Sequence, residues 1–518
     1  MPNSGLHPHA GSTSRGRRGS PGWVAWDLLE AGCLPAFFRH IPWDPTMNVY
    51  RLTEAERKTY HRYAGIALPR HTSYPIVPAW TAEYGPADLR ADLRRSSREG
   101  RPLSLYVHVP FCARLCYFCT CNREVVPEAR RVAHDPGAAF LDALEIEADR
   151  FGDIVGPGEV RQVHLGGGTP TFLRPDQLRR LWVALRHRFW VPGDAEMAVE
   201  LDPRAATLGH LETLRELGFN RVSLGVQDFA APVQRAVNRL QPFEQVEHLM
   251  DQCRSLGFAS INFDLIYGLP FQTRETMADT LEKTIALGPD RVAFYRLAVI
   301  PELFRWQNVF RPADLPSADL TLDMNLLAVN RFQEAGYEFV GLDHFARPTE
   351  ALARARREGS LRRSFQGMTT GKGLDVLGLG PSAVSQLDDA YAQNRKGSAA
   401  GWEKAVGRDL ATERGVRLTE DDRLRRELLQ QLYGYGHIDK RALEERFGIT
   451  FDAYFADELQ RLQELVGEGL VVVEAGAVRL AAPLGRLLVR VVAAVFDRYL
   501  PPDAFREGLA PHQSSRVG

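Results

Sequence analysis

Apolar positions along this chain follow two alternating rhythms. From about residue 100, short β-branched or aromatic runs recur at 103–110, 160–165, 196–202, 221–229, 260–269 and 291–300. Between them, apolar residues fall at helical spacing, as in Phe140, Leu141, Leu144, Ile146 and Ala148, or Leu178, Leu181, Trp182 and Leu185. Six strand-then-helix units in succession predict an α/β fold with a parallel sheet, open or curled into a partial barrel. In such sheets chemistry gathers beyond the C-terminal ends of the strands, where nearly every polar motif of this chain falls.

The rhythm changes at both ends. Residues 1–46 are rich in Gly, Ser, Pro and Arg near the start and read as an unstructured extension or a start read too early, with Met47 a plausible start. Asp27 and Glu30 inside the stretch 23–38, and no clean small-residue cleavage site after it, weigh against a signal peptide. The expected organisation is an N-terminal segment over 47–99, the barrel over 100–350, a connecting segment contributing to the site over 351–404, and a mainly helical C-terminal domain over 405–518. In that last part, acidic N-cap options at 418–422 open a helix through Leu424, Leu428, Leu429 and Leu432. Helices at 438–447 and 451–467, a strand pair at 470–473 and 477–480, and a last helix at 485–499 complete a winged-helix-like pattern.

Composition narrows the classes. The 518 residues are 44% hydrophobic and 25% charged, which excludes wholesale disorder and calls for more than one core. Lys+Arg 64 against Asp+Glu 65 gives a net charge of -1, which argues against nucleic acid as partner. A lid that keeps water from the barrel mouth suits the C-terminal domain better. No apolar run reaches membrane-spanning length; 487–496 is short and broken by Arg490.

Four of the six cysteines lie in one loop after the first predicted strand, Cys112-x3-Cys116-x2-Cys119-x-Cys121. Three readings compete. A structural zinc site usually draws its pairs from two separated places, which four cysteines in ten residues serve poorly. Disulfides suit a secreted chain. Three thiolates on one loop can instead hold three irons of a [4Fe–4S] cubane and leave the fourth open to a small molecule. Cys33 and Cys253 stand alone, read as an unstructured thiol and a buried helix residue.

The spacing C-x3-C-x-F-C after a first strand resembles the signature of radical S-adenosylmethionine (SAM) enzymes. The flanking text is similar to one family among them: residues 106–112 (Tyr-Val-His-Val-Pro-Phe-Cys), Cys121-Asn122, the run 166–171 (Gly-Gly-Gly-Thr-Pro-Thr), Glu200-Leu201-Asp202-Pro203, Gly225-Val226-Gln227-Asp228, 264–270 (Asp-Leu-Ile-Tyr-Gly-Leu-Pro), 343–348 (Asp-His-Phe-Ala-Arg-Pro), Phe365-Gln366-Gly367 and the near-terminal Ser515-Arg516-Val517. On these motifs, from about residue 47 onward, the chain resembles the oxygen-independent coproporphyrinogen III oxidases (coproporphyrinogen dehydrogenases).

The resemblance implies a radical SAM barrel in which Cys112, Cys116 and Cys119 ligate the cluster and Cys121 does not. It implies two SAM molecules per chain. Tyr106, Gly167, Glu200 and Val384 would contact the cluster-bound one, and Phe118, Gly168, Thr169, Gln227, Arg239, Asp264 and Ala298 the second. Tyr106 and Gln366 are the implied catalytic residues. One electron from the cluster would cleave SAM to methionine and a 5′-deoxyadenosyl radical, which takes hydrogen from a propionate carbon. Loss of carbon dioxide from two propionates turns coproporphyrinogen III into protoporphyrinogen IX in haem biosynthesis. A reduced donor such as flavodoxin or ferredoxin, a cytoplasmic location and a monomeric state are also implied. Glycines after a strand allow close backbone approach, acidic side chains can accept from ribose hydroxyls or an ammonium, and Arg239 can grip a carboxylate with two bonds.

Each of these residues has a plainer reading. Three glycines can be a turn, and Glu200, Gln227 and Asp264 can cap helices or satisfy the barrel interior. His108 is expected near the cluster in a supporting role. Val299 stands where the family often has His, and Thr120 where Gly is common. Arg296 is either a salt bridge on the barrel rim or a clamp for a propionate. A haem chaperone and an anaerobic haem-opening methyltransferase share the scaffold; Cys121 and Gln366 favour the oxidase.

Overall fold

The computed structural model describes residues 50–509 and Arg516. The expectations for residues 1–46, including Cys33, and for Met47, Ser515 and Val517 lie outside those residues. Strands β1 (Leu103–Val109), β2 (Val160–Gly167), β3 (Glu196–Leu201), β4 (Arg221–Gln227), β5 (Ser260–Tyr267) and β6 (Arg291–Arg296) form where the apolar runs predict them. Each pairs in parallel with the next. Helices α1 (Pro136–Val155), α2 (Pro175–Arg188), α3 (Leu208–Glu216), α4 (Phe243–Ser255) and α5 (Arg274–Leu287) lie between successive strands, and α6 (Ala318–Glu334) follows β6.

Strand alternation divides the side chains. In β1, Leu105, Val107 and Val109 are fully buried in the core, and Tyr106 and His108 stand on the opposite, inner face. The same alternation in β3 puts Glu196, Ala198 and Glu200 on one face and buries Met197, Val199 and Leu201 on the other. The α1 residues Leu141, Leu144, Ala148 and Phe151 cover the core face at helical spacing. The inner face is left polar, and it holds the site.

The sheet continues beyond the six units. On the far side of β1, β7 (Asp375–Leu379) pairs in parallel, and Val384–Gln386, Ala390–Asn394 and Thr412–Arg417 follow antiparallel. At the other edge, His344–Ala346 and Glu338–Phe339 run antiparallel beside β6. The result is one partly open sheet of 12 strands, a partial barrel. This corrects the expected boundary at 405, since Thr412–Arg417 belongs to the sheet. That strand, with Glu413, Arg414 and Gly415, shows no apolar period in the sequence.

The C-terminal helices begin with α7 (Glu420–Tyr435), capped by Thr419, whose hydroxyl accepts from Asp422 N while Asp422 accepts in return. The cap is therefore the threonine, with the acid at the third helical position. A strand, His437–Asp439, precedes the second helix, Lys440–Phe447. It pairs with Ala477–Leu480, which also pairs with Val471–Val473, giving the small sheet of a winged helix. The expected helix over 485–499 is two short ones, Leu484–Leu487 and α8 (Val489–Val495). Every residue of α8 is buried, Arg490 included. These elements share a core with Tyr60, Tyr63, Leu68 and Tyr74 before the barrel and with Leu322 and Leu326 of α6. Among the described residues no helix is long and apolar enough to cross a membrane.

Candidate active site

The cysteine loop leaves β1 at the C-terminal edge of the sheet. The Cys116 sulfur accepts from two guanidiniums, Arg204 Nη2 at 3.3 Å and Arg239 Nη1 at 3.4 Å. Both arginines also bond Asp202, at 2.7 and 3.2 Å. Burial raises the Asp202 carboxyl, but the charges of Arg239 and Arg204 outweigh it and hold the group at about 2. Thr169 Oγ1 stands 3.4 Å from Cys112 Sγ. The Cys119 thiol is drawn down to about 6, first by the Cys121 thiol beside it and then by Arg123 and Arg239. The proton of that pair sits on Cys121, an exposed residue.

Among the described residues no group of three or more His, Cys, Asp or Glu side chains is arranged to hold a single metal ion. The donor chemistry fits an iron–sulfur cluster. Guanidinium and hydroxyl groups aimed at cysteine sulfur neutralise thiolate charge, and hydrogen bonds to the sulfurs tune such clusters.

The inner face behind the loop is tightly bonded. Burial keeps His108 neutral, so its Nε2–H donates to the Asn122 carbonyl at 2.7 Å and its Nδ1 accepts from the Tyr106 hydroxyl at 3.1 Å. His108 thus ties Tyr106 to the residue after Cys121. Burial, then Glu200 and Cys121, keep the Tyr106 phenol protonated. Glu200 accepts from His164 Nε2 at 3.1 Å and from Gly167 N at 3.1 Å. Burial works to raise its carboxyl, but these bonds and the His164 charge hold it below the usual range. Its side chain keeps 42% exposure, leaving oxygen surface for a ligand. Asp264, bonded to Ser223 and Asn262, is pushed up to about 6 by burial and by Glu200.

The three glycines have protein neighbours where their side chains would be. A Cβ on Gly166 would stand 2.7 Å from the Glu200 carboxylate, one on Gly167 2.7 Å from the His108 ring, and one on Gly168 2.7 Å from Phe111 O. Their smallness therefore serves packing of the loop, whatever ligand lies beyond. Gln227 closes β4 with a left-handed backbone, φ 69°, a strain of about 1–3 kcal/mol that marks functional positions. Arg239 spends four of its five N–H groups on Cys116, Asp202 and the Gly225 carbonyl. A two-pronged grip on a carboxylate would require it to release one of them.

The other expected residues lie in three places. Gln307, 1% exposed, bridges the Phe118 and Ala298 carbonyls at 3.4 and 2.9 Å. The Val384 backbone packs on Gly378, which pairs with Tyr106. Gln366 lies in the hairpin of Arg362–Ser364 and Gly367–Thr369, with its Nε2 buried and unpartnered among the described residues. That hairpin lies against His344 and Tyr295 of the inner face, and Gln430 of α7 bonds both backbone groups of Arg363, at 2.6 and 2.8 Å. Asp202, Arg204, His164 and Gln307 went unassigned in the sequence. Asp202 carried a signal, because it continues the inner-face alternation of Glu200.

Behind the site, Glu147 of α1 is fully buried and accepts from Gly380 N, Asn394 and Trp402 at 2.7, 2.8 and 3.2 Å. Gly380 in turn packs on the His108 carbonyl. Burial pushes the Glu147 carboxyl from 4.5 up to about 8. Between those values the folded chain keeps a proton that the unfolded chain has lost, so stability falls as pH rises through that window. Glu147→Gln is expected to remove this fall: its melting temperature should gain on wild type steadily from pH 5 to pH 8. A constant difference would show that Glu147 is ionised throughout.

Cysteine loop, partial barrel and polar inner face define a radical SAM protein, and the Radical SAM superfamily matches residues 106–284. The HemN C-terminal domain matches residues 418–488. The chain is 42% identical over 457 residues to the oxygen-independent coproporphyrinogen III oxidase of Salmonella typhimurium, covering 88% of this chain and 96% of that protein. To the same-named protein of Pseudomonas aeruginosa it is 42% identical, over 84% and 94% of the two chains. The solved structure of coproporphyrinogen III oxidase (HemN) from Escherichia coli, a radical SAM enzyme, superposes with a TM-score of 0.79 at 41% identity, over 84% and 100% of the chains. The chain belongs to the oxygen-independent coproporphyrinogen III oxidase family, and the radical SAM class to which that family belongs carries a [4Fe–4S] cluster and SAM.

Proposed function

We propose that this chain converts coproporphyrinogen III to protoporphyrinogen IX without oxygen, by oxidative decarboxylation of two propionates to vinyl groups. The observation that carries this reading is 42% identity along nearly the full length of proteins of that name. Cys112, Cys116 and Cys119 are assigned to the cluster. Tyr106, Gly167, Glu200 and Val384 are assigned to the SAM bound to it. Phe118, Gly168, Thr169, Gln227, Arg239, Asp264 and Ala298 are assigned to a second SAM, and Gln366 to the substrate.

Cluster and SAM together supply a carbon radical able to take hydrogen from an unactivated propionate carbon. The protein supplies binding and exclusion of water. Arg204 and Arg239 offset thiolate charge at Cys116. Glu200, ionised and partly open, accepts from ligand hydroxyl or ammonium groups. The fixed Tyr106–His108–Asn122 bonds hold the loop on β1. The unpartnered Gln366 amide is a donor for a substrate carboxylate. Each vinyl group formed releases carbon dioxide, one hydrogen atom and one electron, so an electron acceptor completes the cycle. A reduced flavodoxin or ferredoxin as donor, a monomer, and a cytoplasmic site complete the reading.

The test is an oxygen-free assay of reconstituted protein with SAM, a reductant and coproporphyrinogen III. Carbon dioxide and 5′-deoxyadenosine are expected together. Haem binding without turnover would overturn the reading.

A further inference from the structure

Many arginines among the described residues meet a carboxylate; Arg425, for example, lies between Asp421 and Glu458 at 2.9 Å from each. Others do not, and three of these converge. Among the described residues Arg70, Arg296 and Arg363 make no ion pair and bond only backbone carbonyls. They lie together: Arg70 Nη2 donates to Arg296 O at 3.1 Å and Arg363 Nε to Arg70 O at 3.2 Å. The rim salt bridge considered for Arg296 is therefore not formed with any described residue.

Arg70 and Arg296 face a cavity between the end of β6, α6, α8 and the helix Glu54–Ala64. Tyr60, Tyr267, Asp343 and Arg490 line it with them. Asp343 is its one carboxylate among the described lining residues. Arg70, Arg296 and Arg486 line the cavity beside that carboxylate, which itself pairs with His344 at 2.8 Å. Gathering like charges in a half-closed cavity is costly unless an anion answers them. The tyrosine rings beside them suit an anion carried on an apolar body.

The cavity borders the polar inner face: Asp343 bonds His344 Nδ1 at 2.8 Å, and His344 Nε2 stands 3.5 Å from the Tyr295 hydroxyl.

We propose that this cavity is a carboxylate subsite, in which Arg70 and Arg296 receive a propionate of the tetrapyrrole other than the one reacting. The proposal rests on the substrate reading above. The test is fluorescence titration of the reconstituted full chain with coproporphyrin III, the oxidised tetracarboxylate, beside its tetramethyl ester. Wild type should bind the acid and discriminate against the ester. Arg70→Gln and Arg296→Gln, checked for wild-type iron content, should each weaken binding of the acid about tenfold, the loss expected of one charge-assisted contact, and should narrow the preference over the ester. Arg296, half-buried at a strand end, gives the variant least disturbing to packing. Wild-type affinity for the acid in Arg296→Gln overturns the subsite and leaves the enzymatic reading intact. Equal relief of binding by simple acetate would mark a general anion site and also overturn it. Failure of wild type to bind the acid while it still converts the porphyrinogen overturns the subsite alone; failure to convert the porphyrinogen removes both.

Discussion

Cys112→Ala, Cys116→Ala and Cys119→Ala are each expected to abolish the iron–sulfur cluster and cut carbon dioxide release by at least about a thousandfold, some 4 kcal/mol of transition-state stabilisation. The argument is chemical: no acid or base in the site can break an unactivated C–H bond, so loss of the cluster leaves nothing to substitute for it. The environment separates these three from the fourth cysteine. The Cys116 sulfur accepts two guanidinium bonds, Cys112 has the Thr169 hydroxyl, and Cys119 is the thiolate of its pair. Cys121 is the exposed member of the four, and its thiol bonds that of Cys119. Cys121→Ser should therefore retain iron and sulfide. Iron analysis with single-turnover assay checks all four variants, and full iron in any of the first three contradicts the ligand assignment.

Gly168→Ala carries the second large effect. The new Cβ would stand 2.7 Å from Phe111 O and 2.9 Å from Val109 O. Both are backbone atoms at the point where β1 passes into the cysteine loop, and Gly168 N itself donates to Val109 O at 2.8 Å. Neither side chain nor rotamer can yield, so the loop must move. Overpacking of this kind costs about 1–3 kcal/mol, and here the displaced atoms carry the thiolates. A lowered melting temperature and reduced iron per chain are expected together. Gly193→Ala, where nothing lies within 4 Å, is the control and should match wild type. Normal iron loading in Gly168→Ala would show that the contact is not tight.

The strand-helix alternation was legible because β1 to β6 are long enough for their periodicity to emerge. Tyr106 and His108 in β1, or Glu200 in β3, could be placed on the inner face from alternation alone. Thr412–Arg417 was not legible, since a strand with Glu413, Arg414 and Gly415 has no apolar period and is defined only by its partner Ala390–Asn394. The three glycines were legible as special, but not why: Glu200, His108 and the 109–111 backbone reach them from residues distant in sequence or on another strand. Arg204 and Gln307 escaped notice because a single arginine after a strand and a glutamine in a loop look like surface. Only folding brings one to Cys116 and the other between Phe118 and Ala298. The arginines at 70, 296 and 363 lie far apart along the chain, so their convergence is a property of the fold alone.

The central claim is that three thiolates of the 112–119 loop hold a [4Fe–4S] cluster with an open iron for SAM. Electron paramagnetic resonance of the reduced, oxygen-free protein, before and after SAM is added, tests it most directly. A reduced-cluster signal that shifts on adding SAM, with about four irons per chain, is the predicted result. Bound zinc in place of iron, or a signal indifferent to SAM, would contradict it.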